Sequence, residues 1–178
     1  MSAQPVPPPE TFEIRRLSYS DLPQVIAIER RSFPTPWSLA MFVLELSKPS
    51  GVCLAATIDG ALVGYLVCSR YDQVWHLMNV AVDPDRRREG IASTLITRLF
   101  ERTGGDKAQY TLEVRLSNHG GIALYEGFGF RGAGTRRRAP HDERVLAVVL
   151  VVPPRRCRRR TSRWPGSTAR QLDGVGNV

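Results

Sequence analysis

The sequence predicts a mixed α/β (α+β) domain of about seven strands and about four helices. Three observations carry that reading. Apolar runs with strand character alternate with runs of helical period, in the order β-α-α-β-β-β-α-β-α-β, and a last apolar run closes the series. Asp59-Gly60 stands between two β-branched runs and marks a tight hairpin. The segment Val80-Ala81-Val82-Asp83-Pro84-Asp85-Arg86-Arg87-Arg88-Glu89-Gly90-Ile91-Ala92 passes from buried strand to turn, then through a glycine straight into a helix.

Taken in order, Phe12 to Leu17 reads as the first strand. Ser20-Asp21 offers a cap for a helix carrying Leu22, Val25, Ile26 and Ile28-Glu29, with Pro23 in the first turn, where its missing N–H costs little. Phe33-Pro34-Thr35-Pro36-Trp37 breaks that helix, and Ser38 caps the next, which holds Met41, Phe42, Leu44 and Glu45. Val52 to Ile58 and Ala61 to Ser69 form the hairpin, and Val74 to Val82 a further strand. Beyond Gly90, residues Ile91, Leu95, Ile96 and Leu99 make a 3.6-residue stripe, stopped by Thr103-Gly104-Gly105-Asp106. Tyr110 to Val114 is the next strand, Asn118 to Gly121 a loop, and Ile122 to Glu126 a short helix stopped by Gly127. Phe128-Gly129-Phe130 leads into another strand. Val145 to Val152 is the last, ended by Pro153-Pro154.

With 178 residues the chain is long enough for one domain with a real core, here residues 12–152, with a loose leader over 1–11 and a basic tail over 153–178. The leader has four prolines within Met1 to Glu10 and no basic start, so it does not read as a secretory signal. No apolar stretch is long enough to predict a membrane span. Cys53, Cys68 and Cys157 lack metal spacing, and so sparse and odd a set fits a reducing cytoplasm. The net charge of +8 is unevenly spread. Residues 1–130 hold 13 Lys/Arg against 14 Asp/Glu, whereas residues 131–178 hold 12 against 3. The fold-bearing part is therefore near neutral, and its chemistry need not involve a nucleic acid. The run Arg155-Arg156-Cys157-Arg158-Arg159-Arg160 could touch RNA weakly by charge or simply be a solvated tail.

The glycine-opened loop is the chemical signal. A helix N-terminus behind convergent backbone N–H groups attracts an anion, above all a pyrophosphate, and Gly90 lets the backbone come close or adopt positive φ. Three arginines and a glycine also occur in ordinary loops. What narrows the reading is the strand before and the amphipathic helix after. The loop is neither a G-x-G-x-x-G start nor a P-loop, because no Gly-Lys-Ser/Thr follows.

Arg87-x-x-Gly90-x-Ala92 resembles the acetyl-coenzyme A signature of the GNAT N-acetyltransferases. Leu112-Glu113-Val114-Arg115-Leu116-Ser117-Asn118 through Tyr125 to Phe130 resembles that superfamily's other block. Ile14-Arg15-Arg16-Leu17, Phe33-Pro34-Thr35-Pro36-Trp37-Ser38 and Asn79-Val80-Ala81-Val82 resemble the bacterial ribosomal-protein-alanine N-acetyltransferase (RimI) family, over roughly residues 12–136. The resemblance implies the GNAT fold, a central mixed twisted sheet flanked by helices. It also implies acetyl-coenzyme A as cosubstrate, coenzyme A as product and no metal. Val80, Ala81 and Val82 would meet the pantetheine arm. Arg87, Arg88, Glu89, Gly90, Ile91 and Ala92 would cradle the pyrophosphate, and Asn118 would bond the cofactor or else cap a helix. Glu113 would be the general base, against the alternative of an ion pair with Arg115 or His76. Tyr125 would be the general acid, against that of a core tyrosine. Exposed Phe33, Pro34 and Trp37 would shape the acceptor groove, with core packing open for Trp37, and Glu29 and Asp72 could anchor a cationic substrate. Cys53 and Cys68 read as core, and His76 and His119 form no metal set.

The acceptor so implied is a protein N-terminus, that of a small-subunit ribosomal protein beginning with alanine, modified by a monomer that needs no membrane. Two other readings stay open: a GNAT enzyme for another amine (a lysine side chain, a polyamine or an aminoglycoside), and a non-catalytic coenzyme A-binding regulatory domain. Past Thr135 the resemblance stops. Arg136-Arg137-Arg138-Ala139-Pro140-His141 stands where the family carries paired tyrosines that help bind the peptide. A shift of reading frame near residue 138 would account for the simultaneous loss of resemblance and charge balance, and an intact mass matching all 178 residues would exclude it.

Overall fold

The computed structural model describes residues 12–104, 108–138 and 143–150. Seven strands and four α-helices follow in the order β1 (Glu13–Arg16), α1 (Leu22–Ser32), α2 (Leu39–Ser47), β2 (Gly51–Ile58), β3 (Ala61–Tyr71), β4 (Val74–Val82), α3 (Ile91–Thr103), β5 (Gln109–Arg115), α4 (His119–Gly127), β6 (Arg131–Arg138) and β7 (Glu143–Leu150). One sheet contains them all, in the order β1-β2-β3-β4-β5-β7-β6, antiparallel except for the parallel pair β4–β5. The expected leader and tail lie outside the described residues, as does Cys157.

The middle strands are largely apolar, without strict alternation, because helices cover both faces. In β2, residues Cys53 through Ile58 are all buried. Leu54, Ala56 and Ile58 join Leu66 and Cys68 of β3 in a core under α3, whose Ile91, Leu95, Ile96 and Leu99 are each at most 1% exposed. Burying four such side chains stabilises the contact by roughly 1.5–3 kcal/mol each. Cys53 and Ala55, alternating with them, face Leu22, Val25 and Ile28 of α1 and Phe42 of α2 in a second core. The two cysteines thus belong to opposite faces. Burial pushes the Cys53 thiol up to about 11, which keeps it protonated and inert.

This second core draws on β2, β3 and β4 but on no described residue of β5, β6 or β7. Among the described residues, the α1/α2 layer therefore covers only the β2–β4 half of its face of the sheet. The α3/α4 face is continuous, with Leu77, Val80 and Val82 of β4 packed beside Tyr110, Leu112 and Val114 of β5, Tyr125 of α4 and Phe130.

The first helix begins at Leu22 with Asp21 at its N-cap position, where Ser20-Asp21 placed it, although the Asp21 side chain makes no cap bond to the helix. A 3-10 turn over Tyr19–Asp21 precedes it. Asp21 caps back onto Ser18, whose N–H and hydroxyl both donate to Oδ2 at 2.8 Å. Arg15 Nη1 and Nη2 grip the two oxygens at 2.7 Å each. The Arg15 pairing, followed by the Ser18 donors, outweighs burial and holds the Asp21 carboxyl at about 2, below the ordinary 3.8. A carboxyl lowered on folding stabilises the fold above its unfolded pKa, and that contribution fades as pH falls through the folded one. Asp21→Asn should therefore lower stability at neutral pH by about 1–2 kcal/mol, a value discounted because Arg15 is partly solvated. The deficit should shrink as pH drops from 3.8 towards 2. Urea unfolding at neutral and acid pH checks this, and a pH-independent deficit would contradict it.

Candidate active site

The sheet opens at its only parallel seam. β4 and β5 pair at four positions, Val74↔Gln109 through Leu77↔Leu112, and beyond them run on unpaired with each other, β4 to Val82 and β5 to Arg115. The cause is local. β3 pairs Cys68 with Leu77 but Val67 with Asn79, so Met78 is an extra residue in β4, a β-bulge that bends the strand away. Residues Asn79 to Val82 remain bonded to β3 on one side and turn the other edge into the gap. Val80 and Val82 face the α3 core, and Ala81 faces α1/α2.

The chain then enters the loop that the sequence singled out. Asp83 N–H bonds Val63 O at 2.8 Å, and Asp83 Oδ1 accepts from Asp85 N–H at 2.9 Å. Arg31, in the last turn of α1, reaches across and donates to both oxygens of Asp83 (3.1 and 3.0 Å) and to Asp85 Oδ2 (2.8 Å). Arg88 (φ 71°) and Gly90 (φ 82°) both take left-handed backbone, the geometry that turns neighbouring N–H groups to one point. Gly90 is the N-cap of α3 and has no side-chain cap. The first helical bond accepted there is Thr94 N–H to Gly90 O at 3.0 Å, which leaves the earlier N–H groups, those of Ile91 and Ala92 among them, directed out of the helix. Burial pulls the Arg87 guanidinium below its ordinary pKa, with Asp83 opposing and Arg31 assisting. An incoming anion would therefore be welcomed by a partly desolvated charge. Arg88 and Glu89 are exposed, the Glu89 carboxylate lying 4.0 Å from Arg86.

Gly64, which drew no notice in the sequence, sets the depth of this helix. A Cβ there would lie 3.1 Å from Ala81 O and 3.1 Å from Ile91 Cγ2. Only a glycine lets the first residue of α3 sit so low on β3. A lone glycine within an apolar strand was the available signal.

Across the gap, β5 alternates cleanly. Leu112 and Val114 are buried under α4, and Thr111, Glu113 and Arg115 take the opposite face. Glu113 was expected to be a carboxylate in an apolar strand. It is exposed instead, on the half of the face that the described part of the α1/α2 layer does not reach. Of its two suggested partners, His76 Nδ1 bonds Thr111 Oγ1 at 2.6 Å, and Arg115 Nη2 donates to Thr35 Oγ1 at 2.7 Å, tying the α1–α2 loop to β5 over the gap.

Tyr125 lies on the other face, 7% exposed, edge-on to Phe130 with ring centroids 5.8 Å apart. Its hydroxyl bonds no described residue, and burial pushes the phenol well above its ordinary pKa. Asn118 is the cap of α4, its Oδ1 accepting Gly121 N–H at 2.8 Å, so the side-chain group left for a ligand is the NH2. That cap starts the helix at His119, three residues before the sequence reading, and makes a helix of the Gly120-Gly121 loop. The structure thus brings the β4 edge, the Arg87–Ala92 loop and Tyr125 to one side of the opening, and Glu113 to the other.

The acceptor-groove residues need correction. Phe33 was expected to be exposed, and for Trp37 exposure and core packing were both open. Both are half-buried against the second core, Trp37 with its ring centroid 5.3 Å from that of Phe42, and of the three only Pro34 is exposed. Apolar area in so short a loop is better spent against the helices that bracket it. Glu29 is 1% exposed and bonded to neutral groups, which removes it as a direct anchor for a cation. Asp72 sits in the β3–β4 turn, at the other end of β4 from the anion loop. Among the described residues no three His, Cys, Asp or Glu side chains group to hold a metal ion, and no helix is long and apolar enough to cross a membrane.

Comparison with known proteins agrees with this geometry. Residues 22–130 match the Acetyltransferase (GNAT) family. The [ribosomal protein bS18]-alanine N-acetyltransferase of Escherichia coli K12 is 33% identical over 145 residues, covering 79% of this chain and 96% of the relative. The N-alpha-acetyltransferase RimI of Mycobacterium tuberculosis is 32% identical over 135 residues, covering 72% and 84%. The crystal structure of the ribosomal-protein-S18-alanine N-acetyltransferase from Escherichia coli superposes with a TM-score of 0.72 at 29% identity, over 82% of this chain and 96% of that one. A bulged, splayed β4, an uncapped helix start behind it and this extent of shared sequence lead to one conclusion: the chain belongs to the GNAT acetyltransferase family, in its ribosomal-protein-alanine N-acetyltransferase (RimI) branch.

Proposed function

We infer that this protein transfers the acetyl group of acetyl-coenzyme A to the free α-amino group of a protein, the N-terminal alanine of a small-subunit ribosomal protein being the acceptor that its relatives' names suggest. The observation that carries the reading is the opening between β4 and β5, with a carboxylate on one face of the sheet and a phenol on the other. An acceptor arriving from the α1/α2 face meets a donor held from the α3/α4 face through that gap.

The residues present fit the donor. The outward N–H groups at the start of α3 and the left-handed backbone at Arg88 and Gly90 suit a pyrophosphate, with Arg87 adding charge. The unpaired edge of Val80 to Val82 suits the amides of a pantetheine arm, which would lie along it as a strand does, and the Asn118 NH2 suits a contact near its end. Acetyl-coenzyme A supplies an acetyl thioester. A Val80 N–H aimed into the gap would polarise its carbonyl as charge develops there. Glu113 takes the proton of the attacking amine, directly or through water, a modest task for a group whose reference pKa is about 8. Tyr125 delivers a proton to the departing sulfur. No covalent enzyme intermediate is required, and the buried thiols of Cys53 and Cys68 are not used.

Two findings weigh against a small polyamine or aminoglycoside as acceptor. Such cations want accessible carboxylates in a pocket, yet Glu29 is sealed and Asp72 is remote. The deciding assay is acetyl transfer to short peptides differing only in the first residue. Turnover is expected on Ala-starting peptides, with Ser- and Met-starting ones defining the breadth. Turnover on small amines without any on peptides would overturn the reading.

A further inference from the structure

The last turns of α1 hold a buried carboxylate that this chemistry leaves unemployed. Glu29 accepts four hydrogen bonds, all from neutral groups. Trp37 N–H donates to Oε1 at 2.7 Å, Asn79 Nδ2 lies 3.2 Å from each oxygen, and the Tyr65 hydroxyl donates to Oε2. No described Lys, Arg or His pairs with it. A buried carboxylate without a cation is costly, and apolar residues of similar volume would fill the space more cheaply. Its three partners come from three separate elements. Trp37 belongs to the α1–α2 loop, Tyr65 to the middle of β3, and Asn79 is the first residue after the Met78 bulge, where β4 leaves β5. The Trp37 ring packs on Phe42, and Phe42 packs edge-on against Tyr65 at 5.5 Å, so the loop is pinned twice, by its backbone and by its ring.

We propose that Glu29 is a positioning residue for the acceptor, fixing the α1–α2 loop against the mouth of the β4–β5 opening through the Trp37 N–H and Asn79. It touches neither substrate. The inference rests on the reading of the protein as an N-terminal acetyltransferase, because it assigns the wall of the groove that receives the first residues of the acceptor. Backbone N–H is the donor that a loop of any sequence presents, so a carboxylate reads the loop's position rather than its side chains. Thr35, bonded to Arg115, secures the outer side of the same loop.

Glu29→Gln keeps the volume but replaces one acceptor oxygen with a donor, so the Trp37 N–H and the Tyr65 hydroxyl, which donate to different oxygens, cannot both keep their acceptor. It should raise KM for an Ala-starting peptide roughly tenfold, the scale of one buried donor left unpaired. KM for acetyl-coenzyme A should move less than about threefold, because the anion loop is held separately by Arg31. Tyr65→Phe, which removes one donor and leaves the carboxylate on Trp37, should shift peptide KM in the same direction by less. Amide hydrogen exchange gives a readout apart from activity, in which the Trp37 N–H should lose protection in Glu29→Gln while the amides of β2 and β3 keep theirs. Unchanged peptide KM in a wild-type-like fold would overturn the proposal, as would equal rises in both KM values with protection lost throughout. A wild-type chain that acetylates no peptide would instead bring down the acceptor reading and this inference with it, a result distinct from the other two.

Discussion

Glu113→Gln is expected to lower turnover at neutral pH by about a hundredfold or more, the usual worth of a positioned general base. The substitution is nearly isosteric and falls at an exposed position, where a surface interaction is worth little, so stability should stay within about 1 kcal/mol of wild type. Affinity for acetyl-coenzyme A should hold, because the cradle lies on other elements. Part of the loss should return as pH rises through the α-amino range near 8, where the acceptor sheds its own proton. Steady-state rates on one Ala-starting peptide from pH 7 to 9 would check this. A loss that is the same at every pH, or one shared by cofactor binding, would make Glu113 a structural residue.

Tyr125→Phe is the second large effect. Its ring is embedded against Phe130, and its hydroxyl bonds no described residue, so removing one oxygen should cost little stability. Turnover should nevertheless fall by about a hundredfold or more if that oxygen carries the proton to the leaving sulfur. Burial raises the phenol, which by itself makes it a weaker acid. The same burial raises the basicity of a thiolate formed beside it, and the transfer depends on the difference between the two. Titration calorimetry with coenzyme A separates the roles. Unchanged affinity with lost turnover fits an acid, whereas equal loss of both fits a packing residue.

The two blocks that define the family were readable because each rests on short-range rules. α3 announced itself by its apolar stripe and the glycine before it, and the β2–β3 turn by Asp59-Gly60. β5 showed the alternation that sends Glu113 away from Leu112 and Val114. Features made by distant residues were not readable. The Met78 bulge hides in an apolar run that scans as one uninterrupted strand. The Glu29 cluster gathers partners 8, 36 and 50 positions away, which no local pattern displays. The Arg31 fork across Asp83 and Asp85 spans 52 and 54 residues. Phe33 was misplaced because a proline-rich loop suggests exposure, and the choice between exposure and core packing for Trp37 was settled by the space beside Phe42, which is a tertiary fact. At the C-terminal end the arginine run looked like a break with the family's pattern. Yet Arg136, Arg137 and Arg138 extend β6 in register with Val145, Arg144 and Glu143, because backbone pairing to β7 makes no demand on side-chain type.

Four residue pairs are all that stitch β1–β4 to the β5–β7–β6 blade on the strand level, and past them each blade presents a bare ladder to the other. Such a sheet carries an unfinished edge at its centre. Whatever lies along that edge completes the ladder and becomes, in effect, a missing strand. Cosubstrate and fold are then thermodynamically linked, so saturating coenzyme A should raise the melting temperature as a bound subunit would, by an amount that grows with its concentration over its Kd. The width of the seam is thus a property of the loaded protein, and the bare chain should breathe there first.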